Sequence, residues 1–126
     1  MYKYCKIRYR KIPLYGGRLV IILSNDQEKV SKLVGITKYE YLFAHSAINK
    51  YKGKRAFFIV LNFHDEEAIT YGHISHEITH TAEFIAEEAG ITADYYENEP
   101  VAYIAGWVGN EVYKFIRDCG FKVHYL

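Results

Sequence analysis

The spacing of apolar residues in the first half of the chain predicts four β-strands. Residues 2–10 alternate Tyr, Cys or Ile with Lys or Arg, a period of two that is typical of a strand. Residues 18–24 (RLVIILS) follow a pair of glycines as a short apolar run and predict a second strand. Residues 40–48 and 55–63 predict two more strands joined by a charged turn at 51–54, although 40–48 would also suit a helix.

Three other segments have the period of amphipathic helices. They cover residues 27–34, 70–89 and 98–119, and each is followed directly by a glycine, which commonly ends a helix by taking a positive φ. Asn98 is the predicted N-cap of the last helix. A short final strand over 121–125 is also indicated.

The order of these elements predicts an α+β fold in a single domain, residues 1–126. At 126 residues the chain has the length of one domain with a real core. Strands come first and the long helices come last, so we expect a small, mostly antiparallel sheet. The helix at 70–89 should then pack against the C-terminal helix at 98–119.

Composition and charge exclude several classes of function. The chain has 16 basic and 15 acidic residues, so its overall field gives no reason to expect a nucleic-acid partner. Cys5 and Cys119 are too far apart in sequence for a thiolate zinc motif and are expected to be reduced. No signal peptide or membrane-length apolar run is found, so we expect a cytoplasmic protein without a membrane partner. No feature indicates an oligomeric state.

Residues 72–81 read GHISHEITHT and contain the pattern HExxH. In a helix, His76 and His80 lie on the same face with Cβ atoms roughly 5–6 Å apart, so both imidazoles can bind one ion. Glu77 lies about 100° further round the helix, where a carboxylate can reach a water at the metal without being a ligand. The motif therefore offers two metal ligands and a base.

The helical phase of this segment separates the histidines from the core. His76 and His80 lie roughly opposite the apolar stripe, with Glu77 and His73 beside them. The plainer interpretation is an exposed polar face of an amphipathic helix, so the motif needs a further ligand to support it. The apolar stripe consists of Ile74, Ile78, Thr81, Ile85 and Ala89.

A third ligand is expected from the second long helix. Glu99 opens that helix, and Glu97 is the alternative, whereas a surface capping carboxylate is the plainer interpretation of Glu99. Gly106 on the same face would let another helix approach closely. The face opposite the apolar stripe of this helix consists of Glu99, Tyr103, Gly106 and Asn110.

The HEITH helix, followed by a helix that opens with EPVAYIAG (99–106), resembles the gluzincin branch of the zincin metallopeptidases. More narrowly, it is similar to small HExxH peptidases encoded by phages and prophages, whose second helix carries a Glu followed by Ala-Tyr and a Gly. A phage protein of this kind would act in the host cytoplasm. The similarity covers residues 56–110.

This resemblance implies a minimal zincin-like fold and a set of roles. His76, His80 and Glu99 would bind Zn²⁺, and Glu77 would be the general base for a metal-activated water that hydrolyses a peptide bond. The substrate would be a peptide or protein, and the strand at 55–63 would be the sheet edge that pairs with it.

Several other side chains have possible supporting roles. Tyr103 could donate to the oxyanion, or it could simply pack. His73 could bind substrate or assist proton transfer, or it could be a solvent-facing helix residue. Four more residues could flank the cleft or hydrogen-bond the ligands: His64, Asp65, Trp107 and Asn110.

Two functions from other classes compete with zinc-dependent hydrolysis. In the first, a phage structural or interaction protein uses zinc only to clamp the two long helices, with His73 as the nearby fourth ligand. In the second, a metal-free binding domain uses its aromatic residues, among them 13 Tyr, for assembly. A zinc metallopeptidase is the favoured prediction.

Overall fold

The computed structural model describes residues 3–35, 44–63, 69–91 and 98–124, which form one four-stranded sheet and three helices. The α+β class is thereby confirmed. The strands are β1 (Cys5–Lys11), β2 (Arg18–Ser24), β3 (Ala44–Tyr51) and β4 (Lys54–Leu61). The helices are α1 (Gln27–Val34), α2 (Tyr71–Glu88) and α3 (Glu99–Cys119).

The sheet is mixed, with the strand order β1-β2-β4-β3. β1 pairs with β2 and β3 pairs with β4, both antiparallel, whereas the central pair β2 and β4 is parallel. Two of the three pairings are thus antiparallel, as expected, whereas the parallel pairing in the centre was not predicted. Continuous apolar runs such as AFFIVL at 56–61 are typical of parallel strands that are covered on both faces.

The prediction that residues 55–63 form the edge strand is wrong. β4 lies between β2 and β3, and residues 56–61 are all buried. The edges are β1 and β3, whose residues are all exposed or half-buried. The physical reason is hydrophobicity, because an apolar strand of this kind is more stable with neighbours on both sides and with both faces covered.

The two faces of the sheet carry separate cores. Alternate side chains of β2 and β4 point to opposite faces, so one set packs under α2 and α3 and the other under α1. The first set is Leu19, Ile21, Leu23, Phe57, Ile59 and Leu61. The second set is Val20, Ile22, Ala56, Phe58 and Val60, which meet Val30 and Val34 of α1.

The helix boundaries follow local capping chemistry. Asp26 caps α1 by accepting a hydrogen bond from the Lys29 N–H, and Gly35 ends this helix with φ 80°. Gly120 ends α3 in the same way with φ 79°. The predicted N-cap Asn98 precedes α3, but its side chain makes no capping hydrogen bond.

Some predicted strand boundaries differ from those of the structure. The strand predicted at 40–48 begins at Ala44 and continues to Tyr51, and residues 40–43 lie outside the described part of the chain. No strand forms over 121–124. His124 instead makes a single parallel bridge with Thr70, and residue 125 lies outside the described part.

The long helices approach each other at a glycine, but not at the predicted one. A Cβ on Gly109 would lie 3.7 Å from Ile78 Cδ1, so this glycine faces α2. A Cβ on Gly106 would meet no atom within 4 Å among the described residues, so the prediction for Gly106 is wrong. None of the described helices has the combined length and apolar content needed to cross a bilayer.

Candidate metal and catalytic site

The two histidines of the HExxH motif lie together on α2. Nε2 of His76 and Nε2 of His80 are 3.0 Å apart, and their ring centroids are 4.5 Å apart at an interplanar angle of 79°. The Phe84 ring lies one turn further along the helix, 6.3 Å from that of His80 and nearly parallel to it. Both histidines are exposed. The pair is therefore accessible from solvent, with its Nε2 atoms converging.

The phase of α2 explains why this pair is exposed. The buried side of the helix is a mostly apolar stripe that includes Ile78, and Ser75 and Glu77 lie beside this stripe. Ile78 and Ser75 face α3, while Glu77 faces β3. The histidines occupy the remaining arc, as the sequence predicts. The buried residues of α2 are Ile74, Ile78, Thr81, Ala82, Ile85 and Ala86.

The spacing of the two Nε2 atoms suits a tetrahedral metal. Two Zn–N bonds of about 2.0–2.1 Å at the tetrahedral angle place their nitrogens about 3.3 Å apart. The observed separation of 3.0 Å is close to that value. The separation of His76 and His80 therefore fits two positions of a zinc coordination sphere.

Glu77 is held against the edge strand β3. Ser46 Oγ donates to Glu77 Oε1 at 2.7 Å and also lies 3.2 Å from the Glu77 carbonyl oxygen. Thr81 Oγ1, on the next turn of α2, donates to Ser46 Oγ at 3.4 Å, and Thr81 is fully buried. The carboxylate beside the histidine pair is thus fixed in direction by a neighbouring strand.

His73 has a structural role at the start of α2. The His73 N–H donates to Thr70 Oγ1 at 3.1 Å, and the Thr70 N–H donates to His73 Nδ1 at 3.1 Å. This reciprocal pair is a capping box, which satisfies two backbone donors at the N-terminal end of the helix. One ring nitrogen of His73 is therefore engaged in capping.

Among the described residues, Glu99 does not form a metal-binding group with the histidine pair. It opens α3 and lines a cavity formed with the β1–β2 turn, and neither His76 nor His80 lines that cavity. Within residues 3–35, 44–63, 69–91 and 98–124, no three His, Cys, Asp or Glu side chains group together as a metal site. The role of Glu99 as a third ligand thus stays a prediction. Glu97, the alternative ligand, lies outside the described residues.

Among the described residues, the other predicted supporting residues have no contact with the histidine pair that would assign them a role. Tyr103 is 80% exposed and, with Trp107 and Asn110, borders a surface of α3 that contains neither histidine. His64 and Asp65 lie outside the described part of the chain. No described contact joins Tyr103 to the histidines or to Glu77, so its role as an oxyanion donor stays a prediction.

Sequence reasoning missed Ser46. It lies in β3, in a segment with no catalytic motif, and it meets Glu77 across 31 positions of sequence. The signal that could have found it is strand alternation. Ala44 packs against the core under α2 and α3, so Ser46, two residues later, points to the same face of the sheet as α2.

A second polar contact, between Ser75 of α2 and Tyr113 of α3, lies where the two helices meet. Burial raises the pKa of Tyr113, a hydrogen bond with Ser75 partly offsets this shift, and the nearby Tyr71 adds to it. The rings of Tyr71 and Tyr113 are 5.7 Å apart. The Tyr113 hydroxyl thus stays protonated at neutral pH and joins the two helices as a neutral group.

Comparison of the chain with protein-family models, with curated proteins and with solved structures gives no match.

Proposed function

We propose that this protein is a zinc-dependent peptidase that hydrolyses a peptide bond with Glu77 as general base. The observation that carries the proposal is the convergence of His76 and His80, whose Nε2 atoms are 3.0 Å apart on an exposed face. The anchoring of Glu77 beside them by Ser46 supports it further. Two ligands and an oriented base are what an HExxH helix needs for this chemistry.

His76 and His80 would hold the metal through their Nε2 atoms. When bound, Zn²⁺ supplies a Lewis acid that polarises a carbonyl and lowers the pKa of water. The two rings are already turned toward each other, so binding would replace a contact between imidazoles by two bonds to one ion. The site needs a third protein ligand, for which Glu99 and Glu97 are the predicted candidates.

Glu77 would act as the base. Its Oε1 accepts the Ser46 hydrogen bond, and Oε2 has no hydrogen bond to any residue in the described ranges, so Oε2 is available to accept a proton. In the proposed reaction Glu77 takes the proton of the attacking water and returns it to the leaving amine. Ser46 holds the carboxylate in one orientation while it does so.

The edge strand β3 would bind the substrate backbone. One side of β3 pairs with β4, and its other side has no partner strand in the described sheet. An extended peptide can add to such an edge by main-chain hydrogen bonds. Since Ser46 of β3 contacts Glu77 directly, a peptide at this edge would lie next to the base.

The described geometry does not favour the helix-clamp alternative. α2 meets α3 through Ile78 and Ser75, not through the histidine pair. His73, the predicted fourth ligand of a clamp, has Nδ1 engaged with the Thr70 N–H. A clamp would need a ligand from α3 at the histidines, and no described residue of α3 is grouped with them.

The proposal is tested by metal analysis of five proteins after purification without chelator. We expect near-stoichiometric zinc in the wild type and in Glu77→Gln, and loss of zinc in His76→Ala and His80→Ala. His124→Ala is the matched control, since His124 is exposed and its hydrogen bonds with described residues are made by its backbone. Zinc retained at full occupancy by both motif variants would overturn the metal site.

Hydrolysis is tested separately with a mixture of unlabelled peptides and mass spectrometry of the products. We expect cleavage by the zinc-loaded wild type and none by zinc-loaded Glu77→Gln. Equal cleavage by the two proteins would rule out Glu77 as the base. Zinc binding without cleavage by the wild type would favour the non-catalytic alternative.

A further inference from the structure

A second candidate site lies between the β1–β2 turn and the first two turns of α3. Here the chain borders an open cleft of about 560 Å³, within the range of about 300–1,000 Å³ typical of small-ligand sites. Nearly all of its described walls are apolar, and Glu99 is the only charged residue among the described residues that line it. The turn contributes Ile12, Pro13, Leu14 and Tyr15, and α3 contributes Glu99, Pro100, Tyr103, Ile104 and Trp107.

The turn that forms one wall presents a leucine to solvent. The Tyr15 N–H donates to the Pro13 carbonyl at 2.8 Å, and Leu14 between them has φ 69°. This is a γ-turn with positive φ at its centre, which is strained for a branched residue. Leu14 is nevertheless 95% exposed. The Leu14 side chain is thus an exposed apolar group at the cleft, available for contact with a ligand.

The opposite wall combines a carboxylate with aromatic rings. Glu99 is exposed and makes no hydrogen bond or ion pair within the described residues. Tyr103 and Trp107 follow it at one-turn spacing on α3, and Tyr15 contributes a third aromatic ring from the turn. Carboxylates and aromatic faces both attract cations, and apolar walls exclude water around them.

We propose that this cleft binds a small organic cation with an apolar body, such as an arylalkylammonium ion. The cation would lie against the Glu99 carboxylate and the aromatic faces, and the apolar body would lie between Leu14 and Ile104. The volume suits a small molecule, and the charge of the site selects against anions of the same shape.

This proposal goes beyond the peptidase function and does not depend on the histidine pair. It does require Glu99, which lines the cleft, to direct its carboxylate into it. The zinc-ligand role and the cleft role of Glu99 are alternative assignments of one carboxylate. Measurement of zinc content together with ligand binding therefore tells the two assignments apart.

The test uses three probes of nearly equal shape with the full-length chain. They are 4-phenylbutylammonium, the neutral 4-phenylbutanol and the anion 4-phenylbutyrate. Trp107 is the only tryptophan of the chain, so its emission reports on this site alone. We expect saturable emission changes, with the ammonium ion bound about tenfold more tightly than the alcohol and the anion bound most weakly.

Two variants separate charge from shape. Glu99→Gln should bring the affinity for the ammonium ion down to that for the alcohol. The affinity for the alcohol should be unchanged. Leu14→Ser should weaken the binding of the ammonium ion and of the alcohol by a similar factor, because the substitution removes an apolar contact and no charge. Glu87→Gln is the control for general charge, since Glu87 is exposed on α2 and does not line the cleft.

Three results would overturn the proposal. The first is equal affinity for the ammonium ion, the alcohol and the anion. The second is no saturable response of the Trp107 emission or of its indole N–H resonance up to millimolar probe. The third is loss of zinc in Glu99→Gln while its selectivity for the ammonium ion is unchanged, which would place Glu99 at the metal. Metal loss in the His76→Ala variant with cleft binding intact would instead leave this proposal standing.

Discussion

Ser46 of β3 donates a 2.7 Å hydrogen bond to the carboxylate of Glu77 on α2, and this contact joins an edge strand of the described sheet to the HExxH helix. The same hydroxyl accepts from the buried Thr81. A strand that could bind a peptide backbone and a carboxylate that could act as a base are thus parts of one hydrogen-bonded unit. Movement of β3 relative to α2 would misalign both.

The first prediction concerns Ser46→Ala. It leaves the half-buried Glu77 carboxylate and the buried Thr81 hydroxyl without their shared partner, so we expect the free energy of unfolding to fall by about 1–3 kcal/mol. We also expect zinc content to be unchanged and peptide hydrolysis to fall. Urea denaturation, metal analysis and the cleavage assay measure the three effects.

Ser31→Ala is the matched control for that prediction. Ser31 Oγ is buried in α1 without a hydrogen-bond partner within the described residues. Removing such a hydroxyl should leave stability unchanged or raise it slightly. If Ser46→Ala and Ser31→Ala had equal unfolding free energies, the Ser46 contact would contribute nothing to the fold.

Only part of this site could be predicted from the sequence. The pairing of His76 and His80 follows from helical geometry alone, because residues four apart on a helix always share a face. The anchoring of Glu77 depends on which strand passes beside α2, and no local pattern encodes that contact. Glu99 shares a helix face with Tyr103 as predicted, but that face lines the cleft beside the β1–β2 turn.

The second prediction concerns the capping box of α2. Thr70→Ala and His73→Ala each remove one of the two reciprocal hydrogen bonds, so each should lower the free energy of unfolding by about 1 kcal/mol. The double variant should lose less unfolding free energy than the two single variants lose together, because each single change already breaks the capping box. Zinc content should be unaffected in all three. Loss of zinc in His73→Ala would indicate that His73 is a metal ligand and would favour the helix-clamp function.

The third prediction compares two glycines of α3. Gly109→Leu should lower the free energy of unfolding by about 1–3 kcal/mol, because the larger side chain would run into Ile78 of α2. A side chain at Gly106 would enter open space, so Gly106→Leu should raise the free energy of unfolding by about 0.5–1 kcal/mol through its higher helix propensity. The two changes share a helix and differ in packing alone. Equal stability of the two variants in urea would contradict the placement of Gly109 at the helix interface.

The strand order was harder to predict than the elements themselves. Apolar periodicity located all three helices, since each segment carries its own buried face. It also showed that residues 56–61 are strongly apolar. What it could not show is which neighbours cover them, because β2 pairs with β4 in parallel across the intervening α1 and β3. Pairing between distant segments is a tertiary property that local periodicity does not specify.

The last prediction concerns the ion pair that ties β1 to the end of α3. Arg8 Nη1 lies 2.9 Å from Asp118 Oδ2, and Arg8 also lies over the Phe115 ring, 4.6 Å from its centroid. Hydrogen bonds from Arg8 first, and then from Arg117, lower the pKa of Asp118. A carboxyl group whose pKa is lower in the folded than in the unfolded state contributes stability above its unfolded value of about 3.9.

That contribution is lost as the pH falls through the lowered pKa. Urea midpoints measured between about pH 6 and pH 2 should therefore fall less steeply for Asp118→Asn than for the wild type, and the two should converge in acid. Because Asp118 is solvent-exposed, 0.5 M NaCl should shrink the difference. Glu87→Gln removes an exposed carboxylate that has no ion pair with any described residue, so it should follow the wild-type curve. Parallel curves for Asp118→Asn and the wild type would show that Arg8 does not hold this carboxylate in solution.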